Sequence, residues 1–201
     1  MATAQQNKTA TPDTTDPVSW AHHYWQEQGL EGDEQRFLAL SSLLRYQRLV
    51  IDPVEAQLRK QRLNLTDYLL LMTLQLSDNG TRLISNLARS LMIHATTATL
   101  ATDRLQKRRL ISRKPHPTDR RATCVTITPT GRKLVLKANN SLTEIGFGLG
   151  DASSEDVSRL LELLADLRAS AGDIPPAPQQ NGKQRSRASK SNSDVPDSES
   201  A

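Results

Sequence analysis

Aromatic side chains are scarce, about 3% of 201 residues, and none falls between Met72 and Gly146. Proteins that hold single-stranded nucleic acid stack bases on such side chains, so that mode is excluded for the middle of the chain. Cysteine occurs once, at Cys124. No internal disulfide can form, and a reducing cytoplasm is the expected location. No apolar run approaches the roughly 18 residues of a membrane span, so no membrane is expected as a partner. The opening MATAQQNKTATPDTTDP has neither the basic start nor the apolar middle of a secretion signal. Catalytic patterns are missing too: there is no glycine-rich phosphate loop, no paired-carboxylate motif and no Ser/His/Asp spacing. Cys124 and His116 flank a hairpin tip, the wrong place for a pocket. His22 and His23 are adjacent, so they point to different helix faces and cannot share a metal. The expectation is a protein that is not an enzyme and needs no metal and no cofactor.

What is present is charge, unevenly spread. Between His94 and Lys137 stand eleven Lys and Arg against two acids, Asp103 and Asp119. That is a local excess of nine in a chain of formal net charge +4, so the remainder is acidic. A concentration of this kind suits a polyanion, and without stacking aromatics the better candidate is double-stranded DNA. A merely solvated basic face is the alternative.

Periodicity divides the chain. Residues 1–15 carry no apolar pattern and are expected to be disordered. Asp16-Pro17 opens a short aromatic-faced helix ending at Gly29. A longer helical pattern runs from Glu34 to Arg62, and Pro53 should kink it or break it near Asp52. Thr66 is positioned to cap the next helix, which is apolar nearly all round to Ser77 and hence central. Asp78-Asn79-Gly80 stops it.

RLISNLARSLM and ATTATLATDRLQKRRLIS are two helical stretches separated by about three residues, Met92 to His94. The second puts Ala98, Ala101, Thr102 and Leu105 on one face and Thr96, Thr97, Thr99, Leu100, Asp103 and Arg104 on the other. That is a helix-turn-helix pattern. Thr96 also suits a capping position.

PHPTDRRATCVTITPTGR follows. Thr123, Val125 and Ile127 alternate with Cys124 and Thr126 in the period of a half-buried strand. Prolines before Asp119 belong to a loop rather than a ladder. Thr128-Pro129 reads as an N-cap followed by proline at the first helical position. The stretch is a β-hairpin with Arg120 and Arg121 at its tip, where guanidiniums fit a narrow minor groove or phosphates. A hairpin in this place turns the pattern into a winged helix-turn-helix. The last helix begins at Ser153 or Ser154 and carries Val157, Leu160, Leu161, Leu164 and Leu167 on one stripe. The winged core is complete without it, so this stripe is expected to meet a partner chain. Residues 174–201, which include the basic KQRSRASK from Lys183 to Lys190, are expected to be a disordered polar tail.

From about Leu43 to Ala138 the chain resembles the MarR family of bacterial winged-helix transcription regulators. The motifs that carry the resemblance are LNLTDYLLLMTL, LISNLARSL, HATTATLATDRLQKRRLISR and PTDRRATCVTITPTGR. It implies a mostly α protein: a winged helix-turn-helix DNA-binding core, about 64–131, inside a domain of 16–173 with N- and C-terminal dimerisation helices. It also implies a homodimer on a pseudo-palindromic operator, with a recognition helix in each major groove and each wing toward the minor groove. The expected role is a transcriptional regulator, a repressor, in the cytoplasm at the nucleoid.

Candidate DNA contacts are Thr96, Thr97, Thr99, Leu100, Arg104, Arg113, Lys114, Arg120 and Arg121, with Asp119 pairing with Arg121 to brace the wing. Many family members release DNA when a small aromatic or lipophilic acid binds a cleft near the dimer junction. Here that effector cleft would draw on Arg45, Tyr46, Tyr68, Met72 and Phe147. Dimerisation would use Leu160, Leu161, Leu164 and Leu167. Two positions depart from the family pattern: Leu100 stands where a polar or basic residue is common, and Arg108-Arg109 replaces a glycine turn. Leucine there would touch a thymine methyl rather than donate a hydrogen bond. Alternatives are an architectural chromosome-binding protein tethered by its basic tail, and a thiol redox sensor through Cys124.

Overall fold

A computed structural model of the chain describes residues 16–119 and 121–173; the disorder expected of 1–15 and 174–201, and the role expected of Arg120, lie outside the described residues. The chain divides into two compact units, Met1–Asp151 and Ala152–Ala201.

In the first unit, several helices start on a side chain that accepts amides otherwise left without partners. Asp16 accepts the amides of Val18 and Ser19 at 3.1 and 3.0 Å and starts α1 (Pro17–Glu27). The Ser19 hydroxyl, with those two amides, holds the Asp16 carboxyl below its ordinary pKa. Asp33 starts α2 (Glu34–Arg59) by accepting the Arg36 amide at 3.0 Å. The two helices are joined by Trp25 against Phe37, ring centroids 5.1 Å apart, and by His22 Nδ1 to Glu34 Oε1 at 2.7 Å.

Of the two outcomes expected at Pro53, a kink or a break near Asp52, the break does not occur: α2 runs through it to Arg59. Val54 and Leu58 just beyond are buried, Leu58 completely. Each such side chain contributes about 1.5–3 kcal/mol, enough to offset much of what proline costs.

The cap of α3 (Leu65–Gln75) is Asn64, not Thr66: Asn64 Oδ1 accepts the Asp67 amide at 2.7 Å. Asn64 has the extended backbone that a cap requires (φ −102°, ψ 173°), whereas Thr66 is already inside the first turn. A 3₁₀ turn, Asp78–Gly80, ends this stretch as expected, with Asn79 at φ +55°. Next comes a strand that the apolar pattern did not reveal, β1 (Thr81–Leu83), and only then α4 (Ile84–Ser90).

Helix α5 (Ala95–Lys107) leads to the hairpin β2 (Ile111–Pro115) and β3 (Thr123–Ile127). The three antiparallel strands lie in the order β1-β3-β2. Thr81 faces Thr126, their hydroxyls 2.8 Å apart, and Arg113 faces Val125. Pro115 is the last residue of β2, paired with Thr123, rather than part of the loop. β2 is an edge strand, where a missing N–H need not cost a ladder bond.

Thr128 caps α6 (Pro129–Thr143), accepting the Gly131 amide at 3.1 Å, and a second 3₁₀ turn, Gly146–Gly148, follows. The core gathers Leu58 from α2, Leu70, Leu71 and Leu74 from α3, Leu87 from α4, Leu105 from α5, Val125 and Ile127 from β3, and Val135 and Leu142 from α6. It lies directly beneath α5 and the sheet, which fixes their backbones. The second unit holds α7 (Ser154–Ser170), capped by Ser153 with Glu155 and Asp156 in its first turn. Among the described residues no helix is long and apolar enough to cross a membrane.

Candidate nucleic-acid interface

The turn between α4 and α5 closes through Met92, which is at φ +50° and largely exposed. It delivers α5 with Ala98, Ala101, Thr102 and Leu105 buried, the face expected from the spacing. The opposite face carries Thr96, Thr97, Thr99, Leu100 and Arg104, all exposed. No side chain caps the start of α5; its N-cap is His94, and Thr96 does not serve. The amides of that first turn, with the positive end of the helix dipole, therefore favour an anion. Thr99 turns its hydroxyl back to the Ala95 carbonyl at 2.9 Å, which leaves Thr96 and Thr97 as the outward hydroxyls.

The arginines around this helix differ in what holds them. Arg104 Nη2 donates to Asp67 Oδ1 at 2.7 Å, tying α5 to α3. Asp67 is buried, while the Arg104 side chain stays 47% exposed and keeps donors free. Arg113, expected to face DNA, instead folds from β2 onto α5. Its Nη2 reaches Asp103 Oδ1 at 2.7 Å, the Thr99 carbonyl at 3.2 Å and the Thr102 hydroxyl, and its side chain is only 19% exposed. Held through Nη2, with its Nε buried and unpaired among the described residues, this guanidinium positions the wing against the helix and has little left to offer phosphate. Arg108 donates to the carbonyls of Arg62 and Gln61, closing the corner between α2 and α3. Arg109 takes the glycine-like conformation, φ +59°.

At the wing tip the loop is tied by backbone. His116 N–H donates to the Ala122 carbonyl at 2.9 Å and Ala122 N–H to the Asp119 carbonyl at 3.0 Å. Asp119 braces the loop, but through the Arg121 amide at 2.9 Å; no ion pair joins Asp119 to the Arg121 guanidinium. His116 Nδ1 faces the amides of Thr118 and Asp119 at 3.4 and 3.3 Å. Arg121 and Lys114 are exposed.

A buried-core helix pair with an outward recognition face and an antiparallel wing is the arrangement of a winged helix-turn-helix. The MarR family model matches residues 63–123, from the start of α3 to the wing. The HTH-type transcriptional regulator YhbI of Bacillus subtilis is 31% identical over 123 residues, which cover 61% of this chain and 77% of that protein. Sco5413, a MarR family transcriptional regulator from Streptomyces coelicolor, is 31% identical with a TM-score of 0.65, covering 70% of this chain and 97% of its own. The chain belongs to the MarR family. Membership places it among transcriptional regulators, not enzymes. Sco3205, another MarR family regulator of Streptomyces coelicolor, crystallised in complex with DNA, has the same fold at 20% identity. Its TM-score is 0.63, with 73% of this chain and 92% of its own covered.

The effector residues suggested by the MarR resemblance stand in different surroundings. Tyr68 is buried in the core, its hydroxyl donating to Asn139 Oδ1 at 3.2 Å, and burial raises its pKa. Met72 is half-buried, and Arg45, Tyr46 and Phe147 are exposed. A depression of about 360 Å³ beside the wing is lined by other residues, among them Arg82, His116 and the half-buried Cys124. Contrary to expectation, then, Cys124 and His116 do share a hollow, because the antiparallel wing strands bring them to the same face as β1. One residue that shapes this interface was missed in the sequence, Asp67, while Asp103 and His116, placed there by their position, turn out to hold Arg113 and to face the wing-tip amides. Asp67 did carry a signal, as the one charge in LNLTDYLLLMTL. An acid inside an otherwise apolar helix needs a partner.

Proposed function

We propose that the protein is a homodimeric, sequence-specific double-stranded DNA-binding regulator, a repressor released by a small-molecule effector. The observation that carries this is the exposed, uncapped face of α5 beside the exposed wing arginine Arg121, in the segment that holds the chain's excess positive charge. Thr96, Thr97 and Leu100 would meet base edges, while Arg104, Lys114 and Arg121, with Arg120, would meet phosphate or the minor groove. Thr99 contributes less, and Arg113 acts by holding the wing. The working domain is 16–173 and its DNA-binding core about 64–131.

Dimerisation is supported by large apolar side chains left exposed along the first two helices (Trp20, Leu40, Leu43, Leu44 and Leu49) and on α7 (Leu161 and Leu167). The effector, a small aromatic or lipophilic acid, rests on family resemblance. The expected site of action is the cytoplasmic nucleoid. Footprinting on genomic DNA tests the proposal. A discrete pseudo-palindrome with half-site centres about 10 bp apart is expected. Uniform protection of any duplex would instead mean an architectural chromosome protein.

A further inference from the structure

The purine-reading groups are missing from the first two turns of α5. Guanine is read in the major groove by the fork of arginine or by lysine, and adenine by asparagine or glutamine. No Arg, Lys, Asn or Gln stands between Ala95 and Asp103. Of the nearest arginines, Arg113 is bound to Asp103 and the Thr99 carbonyl, and Arg104 lies a turn beyond Leu100 with its Nη2 on the buried Asp67, its remaining donors left for the DNA backbone. At the centre of the outward face stands Leu100, with 55% of its surface exposed. Thr97 and Thr96, three and four residues earlier, share that face. The core face of the helix is already filled by Ala98, Ala101, Thr102 and Leu105, and among the described residues nothing covers Leu100. The N-terminal part of a recognition helix is the part that meets base edges.

The apolar group that the major groove displays is the C5-methyl of thymine. We propose that Leu100 is the specificity-determining residue of this protein, reading a thymine methyl in each half-site. Base readout by α5 is then apolar contact helped by the Thr96 and Thr97 hydroxyls, while Arg121 and the free amides of α5 supply affinity through the backbone. This rests on the proposed DNA-binding function.

The full chain is first used to select a preferred duplex from a randomised pool. Each thymine of that duplex is then replaced by deoxyuridine, which keeps pairing and the O4 acceptor and removes only the methyl. At one position per half-site the loss should be roughly fourfold, the fold-change for one buried methyl group. Leu100→Ala should bind the thymine duplex more weakly and become indifferent to the methyl at that position. The replaced side chain is exposed and alanine favours helix, so the fold is retained, as a circular dichroism spectrum will check. If wild type is indifferent to every methyl, or Leu100→Ala keeps the same sensitivity, the assignment to Leu100 is overturned while the regulator reading stands. If no duplex is preferred, both fall together.

Discussion

Arginines at the interface divide by what their guanidiniums touch, and the division sets what each substitution should do. Arg121 is exposed at the wing tip, with its amide but not its guanidinium bonded to Asp119. Arg121→Ala should weaken operator binding by about 1–3 kcal/mol and leave the melting temperature unchanged; the reverse pattern would make it a structural brace. Arg104 has both roles. Its loss leaves the buried Asp67 carboxylate without its cation. Because the guanidinium is about half exposed, the cost should be about 1–3 kcal/mol rather than the full penalty of a buried pair. Arg104→Ala should therefore lose both stability in urea and DNA affinity. Asp67→Asn keeps an acceptor for Arg104 and should stay within about 1 kcal/mol of wild type. Equal destabilisation by both substitutions would show that the carboxylate charge itself, not its orphaning, is what matters.

At the scale of elements the wing base is a tight joint. A Cβ built on Gly131 would stand 2.1 Å from the Leu110 carbonyl oxygen and 2.9 Å from Ile127 Cγ1, so the start of α6 and the start of β2 meet only because that side chain is absent. Thr128 closes the same joint, its hydroxyl donating toward the carbonyls of Arg109 and Leu110 at 2.8 and 3.0 Å while its oxygen accepts the Gly131 amide. Gly131→Ala should cost about 2–4 kcal/mol, measured as a lowered urea midpoint at constant slope. A neutral result would mean that the wing base is looser than its contacts. This joint was half legible in the sequence: Thr128-Pro129 announces the cap, but nothing local says that a carbonyl twenty-one residues earlier presses on Gly131. The same distinction explains the other elements. The two helices of the helix-turn-helix and strand β3 have enough residues to display a period. β1 has three and owes its existence to pairing with β3, a non-local event. Pro53 was read by its local cost, and the burial of Val54 and Leu58 that offsets it depends on the core they enter. At the site, exposure of Thr96, Thr97 and Leu100 followed from helical spacing. Arg113 looked free because its partners are on another element.

At the scale of the whole molecule, the unsatisfied feature is apolar surface. The proposed palindromic operator would need two recognition helices, and one chain supplies one. On α7, Leu160, Leu161, Leu164 and Leu167 recur at helical spacing, and Leu161 and Leu167 each leave more than half of their surface open to water. A stripe of this kind is stabilised when a second copy covers it, at about 25 cal/mol per Å² of apolar surface removed from water. Replacing Leu161 and Leu164 together by Asp would place two carboxylates in that contact, each unpaired charge costing several kcal/mol. If the proposed dimer forms through α7, wild type should sediment as a dimer and the double variant as a monomer at the same concentration. It should also lose specific operator binding, since the second half-site would no longer be held at a high effective concentration. Its helix-turn-helix and wing lie in the other compact unit and carry no substitution, so weak, salt-sensitive binding to any duplex should survive. A variant that stays dimeric with wild-type affinity would remove α7 from the interface and shift the dimer contact to the exposed leucines of α2.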